Sequence, residues 1–87
     1  MKLVILYHPS SEFSTMVENF AIECSSHTSK VVDSLSLETL EGANLAKLYD
    51  IVDYPSILII REDGQLVKHW QGSNLPLIDE VIGNLNA

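Results

Sequence analysis

The chain has 87 residues, 46% of them hydrophobic and 20% charged, the length and composition of one small globular domain (residues 1–87) that buries roughly 60–65% of the surface its unfolded form exposes. Twelve acidic against five basic residues give a formal net charge of −7, which repels phosphate backbones and anionic lipid and speaks against nucleic-acid or membrane-surface binding. A single cysteine, Cys24, excludes an intrachain disulfide and a cysteine-based zinc cage, and a lone thiol fits a reducing, cytoplasmic interior.

Leu3-Val4-Ile5-Leu6-Tyr7 is a continuous apolar run closed by His8-Pro9. It is too short for a signal-peptide core and reads as a strand buried on both faces. From Ser11 the period changes. Phe13, Met16, Val17, Phe20, Ala21 and Cys24 fall on one stripe of a 3.6-residue helix, while Glu12, Glu18, Asn19 and Glu23 lie off it. Ser25 to Ser29 prefers turns and stops the helix. A second strand is predicted over Lys30 to Leu35.

Ser36 to Asp50 reads as helical, with Leu45, Leu48 and Tyr49 as the apolar face and Ser36 as candidate cap; Gly42 weakens its first turn. Pro55 disfavours helix at Tyr54, and Ser56 to Ile60 is rich in β-branched residues, a third strand. Asp63-Gly64 signals a hairpin, and Leu66 to Trp70 returns antiparallel as a fourth strand. A last helix begins near Pro76, with Leu77, Ile78, Val81, Ile82 and Leu85 as its apolar face. The order βαβαββα implies an α/β fold, one four-stranded mixed sheet with helices on both faces.

This order resembles the minimal thioredoxin-like fold, and local words agree with it. Leu45 to Ile51 is similar to the second helix of thioredoxins and its exit. Asp53-Tyr54-Pro55-Ser56 resembles the loop that carries their cis-proline. Glu62-Asp63-Gly64-Gln65 matches the hairpin turn, and Gln71-Gly72-Ser73 the glycine loop before the last helix. Tyr7 to Ser14 looks like a glutaredoxin's strand exit and Cys-x-x-Cys, with Ser11 and Ser14 where the two thiols would stand.

That departure decides the expected chemistry. A serine hydroxyl neither supplies the thiolate nucleophile nor forms a mixed disulfide. Cys24 lies about 16 Å along the helix from its start, at about 1.5 Å per residue, on the buried stripe, where an inert core thiol is the plain reading and a redox site the sharper one. Ser11 and Ser14 read as helix caps, the alternative being an anion site at the helix N-terminus. His8, His27 and His69 have no metal-ligand spacing, and no metal, nucleotide or flavin site is visible; no cofactor is expected. Trp70 is either a half-buried strand residue or a recognition aromatic.

The resemblance implies a cis Tyr54–Pro55 bond that turns the Tyr54 backbone toward a groove beside Ser11. The expected groove comprises Pro9, Ser10, Ser11, Glu12, Phe13, Ser14, Tyr54, Pro55, Gly72 and Ser73. The function expected is that of a redox-inactive module binding an extended peptide or partner protein. The enzyme-class alternatives are glutathione binding with Ser11 as hydrogen-bond donor to a thiolate, as in serine-type glutathione transferases, or a thioredoxin-type oxidoreductase whose two cysteines have been replaced by serine.

Overall fold

The computed structural model describes all residues from Met1 to Ala87. Its elements are β1 (Lys2–Tyr7), α1 (Ser14–Ser26), β2 (Val32–Ser36), α2 (Leu40–Leu48), β3 (Ser56–Ile60), β4 (Leu66–Gln71) and α3 (Ile78–Leu85). The strands form one sheet in the order β2-β1-β3-β4. β1 runs parallel to β2 and antiparallel to β3, and β4 is antiparallel to β3. No helix is long and apolar enough to cross a membrane.

The two central strands explain their own sequences. Because successive strand residues point to opposite faces, β1 and β3 divide their side chains between two cores. Leu3, Ile5, Ile57 and Ile59 pack with Val17 and Cys24 of α1 and with Val81 and Leu85 of α3. Val4, Leu6, Leu58 and Ile60 pack on the other face with Ala46 of α2 and with Ile51. A strand covered by helices on both sides has no solvent face, so neither run alternates with polar residues.

Several boundaries differ from the sequence expectation, each for a local reason. β2 starts at Val32, not Lys30: the Thr28 hydroxyl oxygen accepts from the Lys30 N–H at 3.1 Å and holds 28–30 in a turn. Ser36 does not cap α2. It is the last residue of β2, opposite Tyr7, and Thr39 caps instead, its Oγ1 accepting from the Gly42 N–H at 3.1 Å and donating to the Ser36 carbonyl at 2.6 Å. Gly42 sits in that first turn because α2 closes tightly on β2: a Cβ there would lie 2.1 Å from the Ser36 carbonyl oxygen.

α2 ends with Asp50 in the left-handed region at φ 56°. The Ile51 N–H donates to the Ala46 carbonyl at 2.8 Å and the Asp50 N–H to the Lys47 carbonyl at 3.4 Å, the paired bonds of a Schellman end. Leu48 and Leu77, both assigned to apolar faces from the sequence, are 69% and 77% exposed. Leu48 lies off the face of α2 that carries Leu45 and Ala46. Leu77 precedes α3 rather than belonging to it, since its backbone stays extended after Pro76 and the helix starts at Ile78.

Candidate functional site

Strand register gathers the expected site at one end of the sheet. Leu6 pairs with Ser56, and Ser56 with Gln71, so the segments flanking these three strand ends emerge together. Pro9–Ser14 follow β1, Tyr54 and Pro55 precede β3, and Gly72 and Ser73 follow β4. The three segments are tied by specific contacts. The His8 and Tyr54 rings meet at 5.1 Å between centroids with an interplanar angle of 75°. The Gly72 N–H donates to the Pro55 carbonyl at 2.9 Å. Gln71 Oε1 accepts from the Val52 and Asp53 N–H groups, both at 3.2 Å.

The Tyr54–Pro55 peptide bond is cis. Pro55 is buried and Tyr54 half-buried, with the Tyr54 hydroxyl donating to the Ile51 carbonyl at 2.7 Å; burial pushes its phenol pKa up. Ser56 is fully buried, and its hydroxyl donates to the Asp53 carbonyl. The Val52 and Asp53 N–H groups and the Asp53 and Pro55 carbonyls are thus engaged. The Tyr54 N–H and C=O take part in no hydrogen bond within the chain.

The segment after β1 departs from the capping expectation. The residue preceding α1 is Phe13, which makes no side-chain cap bond, and Ser14 is the first helical residue. Ser11 instead organises a turn: its N–H donates to the His8 carbonyl at 3.1 Å, its carbonyl accepts from the Ser14 N–H at 3.3 Å, and its Oγ accepts from the Phe13 N–H at 3.3 Å. Neither serine is hydrogen-bonded to Tyr54 or Pro55. Ser11, Phe13, Ser14 and Pro9 are half-buried, while Ser10 and Glu12 are exposed.

The cysteine is remote from this surface. Cys24 is 0% exposed in the core between α1, α3 and the sheet, and burial, reinforced by the Glu23 charge, pushes its thiol up to about 11. A thiol so raised is almost wholly protonated at neutral pH and inert as a nucleophile. No group of three or more His, Cys, Asp or Glu converges as a metal site.

Two residues that organise the site carry no signal in the sequence. Gln71 is a polar residue at a strand end, and only the register that sets it opposite Ser56 shows that it holds the loop before Pro55. His8 has no motif, and its partner Tyr54 lies 46 positions away. Neither of the two surface concavities involves the expected groove residues. The gathered surface is shallow, and the larger concavity, about 530 Å³, lies at the other end of the sheet.

No protein-family model matches the sequence, and no curated protein matches it. Solved structures do. The chain is similar to thioredoxin 1 from Thermosipho africanus TCF52B, at 12% identity and a TM-score of 0.72, over 99% of this chain and 91% of that one. It is similar to the oxidised thioredoxin of Plasmodium falciparum at 17% identity and a TM-score of 0.76, covering 99% and 81%. A thioredoxin from Thermus thermophilus matches at 20% identity and a TM-score of 0.64, covering 98% and 70%. The chain has the thioredoxin-like fold.

Proposed function

We propose that this thioredoxin-like domain is redox-inactive and binds an extended peptide, or an extended segment of a partner protein, across the surface formed by Pro9–Ser14, Tyr54–Pro55 and Gly72–Ser73. The observation that carries the reading is the open backbone pair of Tyr54. The Asp53 N–H is held by Gln71 and the Pro55 carbonyl by Gly72, so a rigid frame presents one donor and one acceptor with no partner in the chain. A peptide laid alongside in extended form supplies the complementary carbonyl and N–H, the main-chain pairing of strand addition.

The absence of thiol chemistry in this reading follows from atoms. Ser11 and Ser14 replace the sulfurs that exchange would require, and Cys24 is buried in the core. Exposed Glu12 and Asp53, with the net charge of −7, favour a neutral or basic peptide over an acidic one. The cytoplasm suits a chain with one unpaired thiol.

The test is selection of binders from a random decapeptide library, followed by amide hydrogen exchange on the bound complex. The expected result is a peptide that protects the Tyr54 amide and shifts the resonances of Ser11, Gly72 and Ser73. Peptides that leave the Tyr54 amide unprotected, or a library that yields none, overturn the reading.

A further inference from the structure

His69 and Gln71 lie two residues apart on β4, opposite Leu58 and Ser56 of β3. Both side chains therefore rise from the face of the sheet that carries Leu58 and Ile60, not from the face against which Trp70 packs. They meet there: Gln71 Nε2 is 3.3 Å from His69 Nδ1. The other polar atom of the same amide, Gln71 Oε1, takes the Val52 and Asp53 N–H groups at 3.2 Å each. One primary amide thus connects an imidazole to the loop that delivers Tyr54.

The direction of these bonds is fixed from the loop end. A backbone N–H only donates, so the Gln71 atom facing Val52 and Asp53 has to be the oxygen and the atom facing His69 the NH2. The NH2 also only donates, so Nδ1 has to accept. That requires a neutral imidazole with its proton on Nε2. A protonated ring carries N–H at both nitrogens, and Nδ1–H against NH2 sets donor against donor. Turning the amide over satisfies the ring but puts the NH2 against the two backbone N–H groups, where the same conflict reappears. No orientation of Gln71 serves both neighbours once His69 is charged.

The surroundings offer a charged ring no substitute. His69 makes no ion pair. On this face β3 presents Ser56, Leu58 and Ile60, none of them ionisable, and Lys68 of β4 turns to the other face, over the Trp70 ring. α2 carries Glu41 and Lys47. The loop before Pro55 carries Asp50 and Asp53 with Tyr49 and Tyr54, whose hydroxyls are committed to the Gly64 and Ile51 carbonyls. We propose that His69 is a positioning residue for the peptide surface: while neutral it sets the Gln71 amide to hold Val52 and Asp53, and its protonation releases that hold, so that peptide binding weakens as pH falls. The effect on binding rests on the peptide reading above; the hold on the loop does not. Histidine is the side chain whose charge changes between about pH 5 and 8, so the hold belongs to the upper end of that range and is lost toward the lower.

The first arm of the test titrates the free protein, labelled with 15N and 13C, from about pH 8 to about pH 5.5. At the upper pH the His69 ring shifts should report the Nε2–H tautomer, and on acidification the Gln71 side-chain, Val52 and Asp53 amide resonances should move with the midpoint of the His69 ring. His69→Asn puts a carbonyl oxygen where Nδ1 stands, an acceptor that does not titrate, and should hold these resonances still. His69→Ala should displace them already at the upper pH. The Nδ1–H tautomer, or amide movement that persists in His69→Asn, overturns the assignment; His8, the histidine in contact with Tyr54, is the group such persistence would expose. The second arm measures a library-selected peptide free of His, Asp and Glu. Its Kd should rise about fivefold over the same range, the loss of one neutral hydrogen bond, and stay level in His69→Asn; a level Kd in the parent overturns the link to binding. Should no peptide bind, the first arm still decides the hold on the loop, and the two readings fail separately.

Discussion

His8 and Tyr54 stand edge to face, their ring centroids 5.1 Å apart, and this contact joins the segment leaving β1 to the loop entering β3. Such pairs contribute about 0.5–1.5 kcal/mol beyond area burial, and the exposure of His8 puts this one at the low end. His8→Ala is expected to cost about 0.5 kcal/mol in urea unfolding. A double-mutant cycle with Tyr54→Leu should show the coupling; additive single changes would mean that the two segments move separately.

Gly42→Ala tests the approach of α2 to β2. Helix propensity alone favours alanine by about 1 kcal/mol. The 2.1 Å approach of its Cβ to the Ser36 carbonyl oxygen opposes this with backbone, which does not yield cheaply, so the variant is expected to be less stable by about 1–3 kcal/mol. A raised denaturation midpoint would contradict the close approach.

At Asp50 the opposite sign is expected. Its φ of 56° is a left-handed conformation that costs side-chain-bearing residues about 1–2 kcal/mol, less for Asp than for most. Asp50→Gly should leave stability unchanged or raise it by a few tenths of a kcal/mol, and Asp50→Val should lower it by about 1–2 kcal/mol. Thermal melts of the two variants beside the parent give the ordering.

The Cys24 thiol, pushed up to about 11, holds its proton in the folded state at pH values where the unfolded thiol, with an ordinary pKa of about 8.5, has released it. The folded state therefore binds more protons between these values, and this contribution to stability is full below about pH 8.5 and lost as pH rises toward 11. Cys24→Ala should flatten the fall in stability over that window. A thiol reagent at pH 8 should label Cys24 only as fast as the protein unfolds.

Insulin reduction with dithiothreitol distinguishes scaffold from chemistry. The chain with Ser11 and Ser14 is expected to be inert, and the double variant Ser11→Cys, Ser14→Cys to be active. The two positions bracket one turn, the Ser14 N–H donating to the Ser11 carbonyl at 3.3 Å. Inactivity of the double variant would show that the surface around Pro55 does not accept a disulfide substrate.

The legible part of this protein is the part governed by periodicity. Leu3–Tyr7 and Ser56–Ile60 announce buried strands because two-sided burial removes polar residues from the run, and the Phe13–Cys24 stripe announces α1. Helix starts were less legible. Ser11, Ser14 and Ser36 all look like caps, yet Thr39 caps α2 and no side chain caps α1, because which hydroxyl meets a free N–H depends on where the preceding strand ends. The grouping of Pro9–Ser14, Tyr54–Pro55 and Gly72–Ser73 was accessible through resemblance. The roles of Gln71 and His8 depend on strand register, which local patterning does not encode.

The division of β1 and β3 between two cores also carries a hazard. Val4-Ile5-Leu6 and Ile57-Leu58-Ile59-Ile60 are uncharged and rich in β-branched residues, the composition that stacks into cross-β ladders when a chain opens. Both are bounded by breakers: Lys2 before the first with His8-Pro9 after it, Pro55 before the second with Arg61-Glu62-Asp63 after it. Charges and prolines in these places act as gatekeepers of the unfolded chain. The residues that flank β1 and β3 therefore also protect the protein from self-association during folding, and neutral replacements there are expected to lower its solubility before they alter its fold.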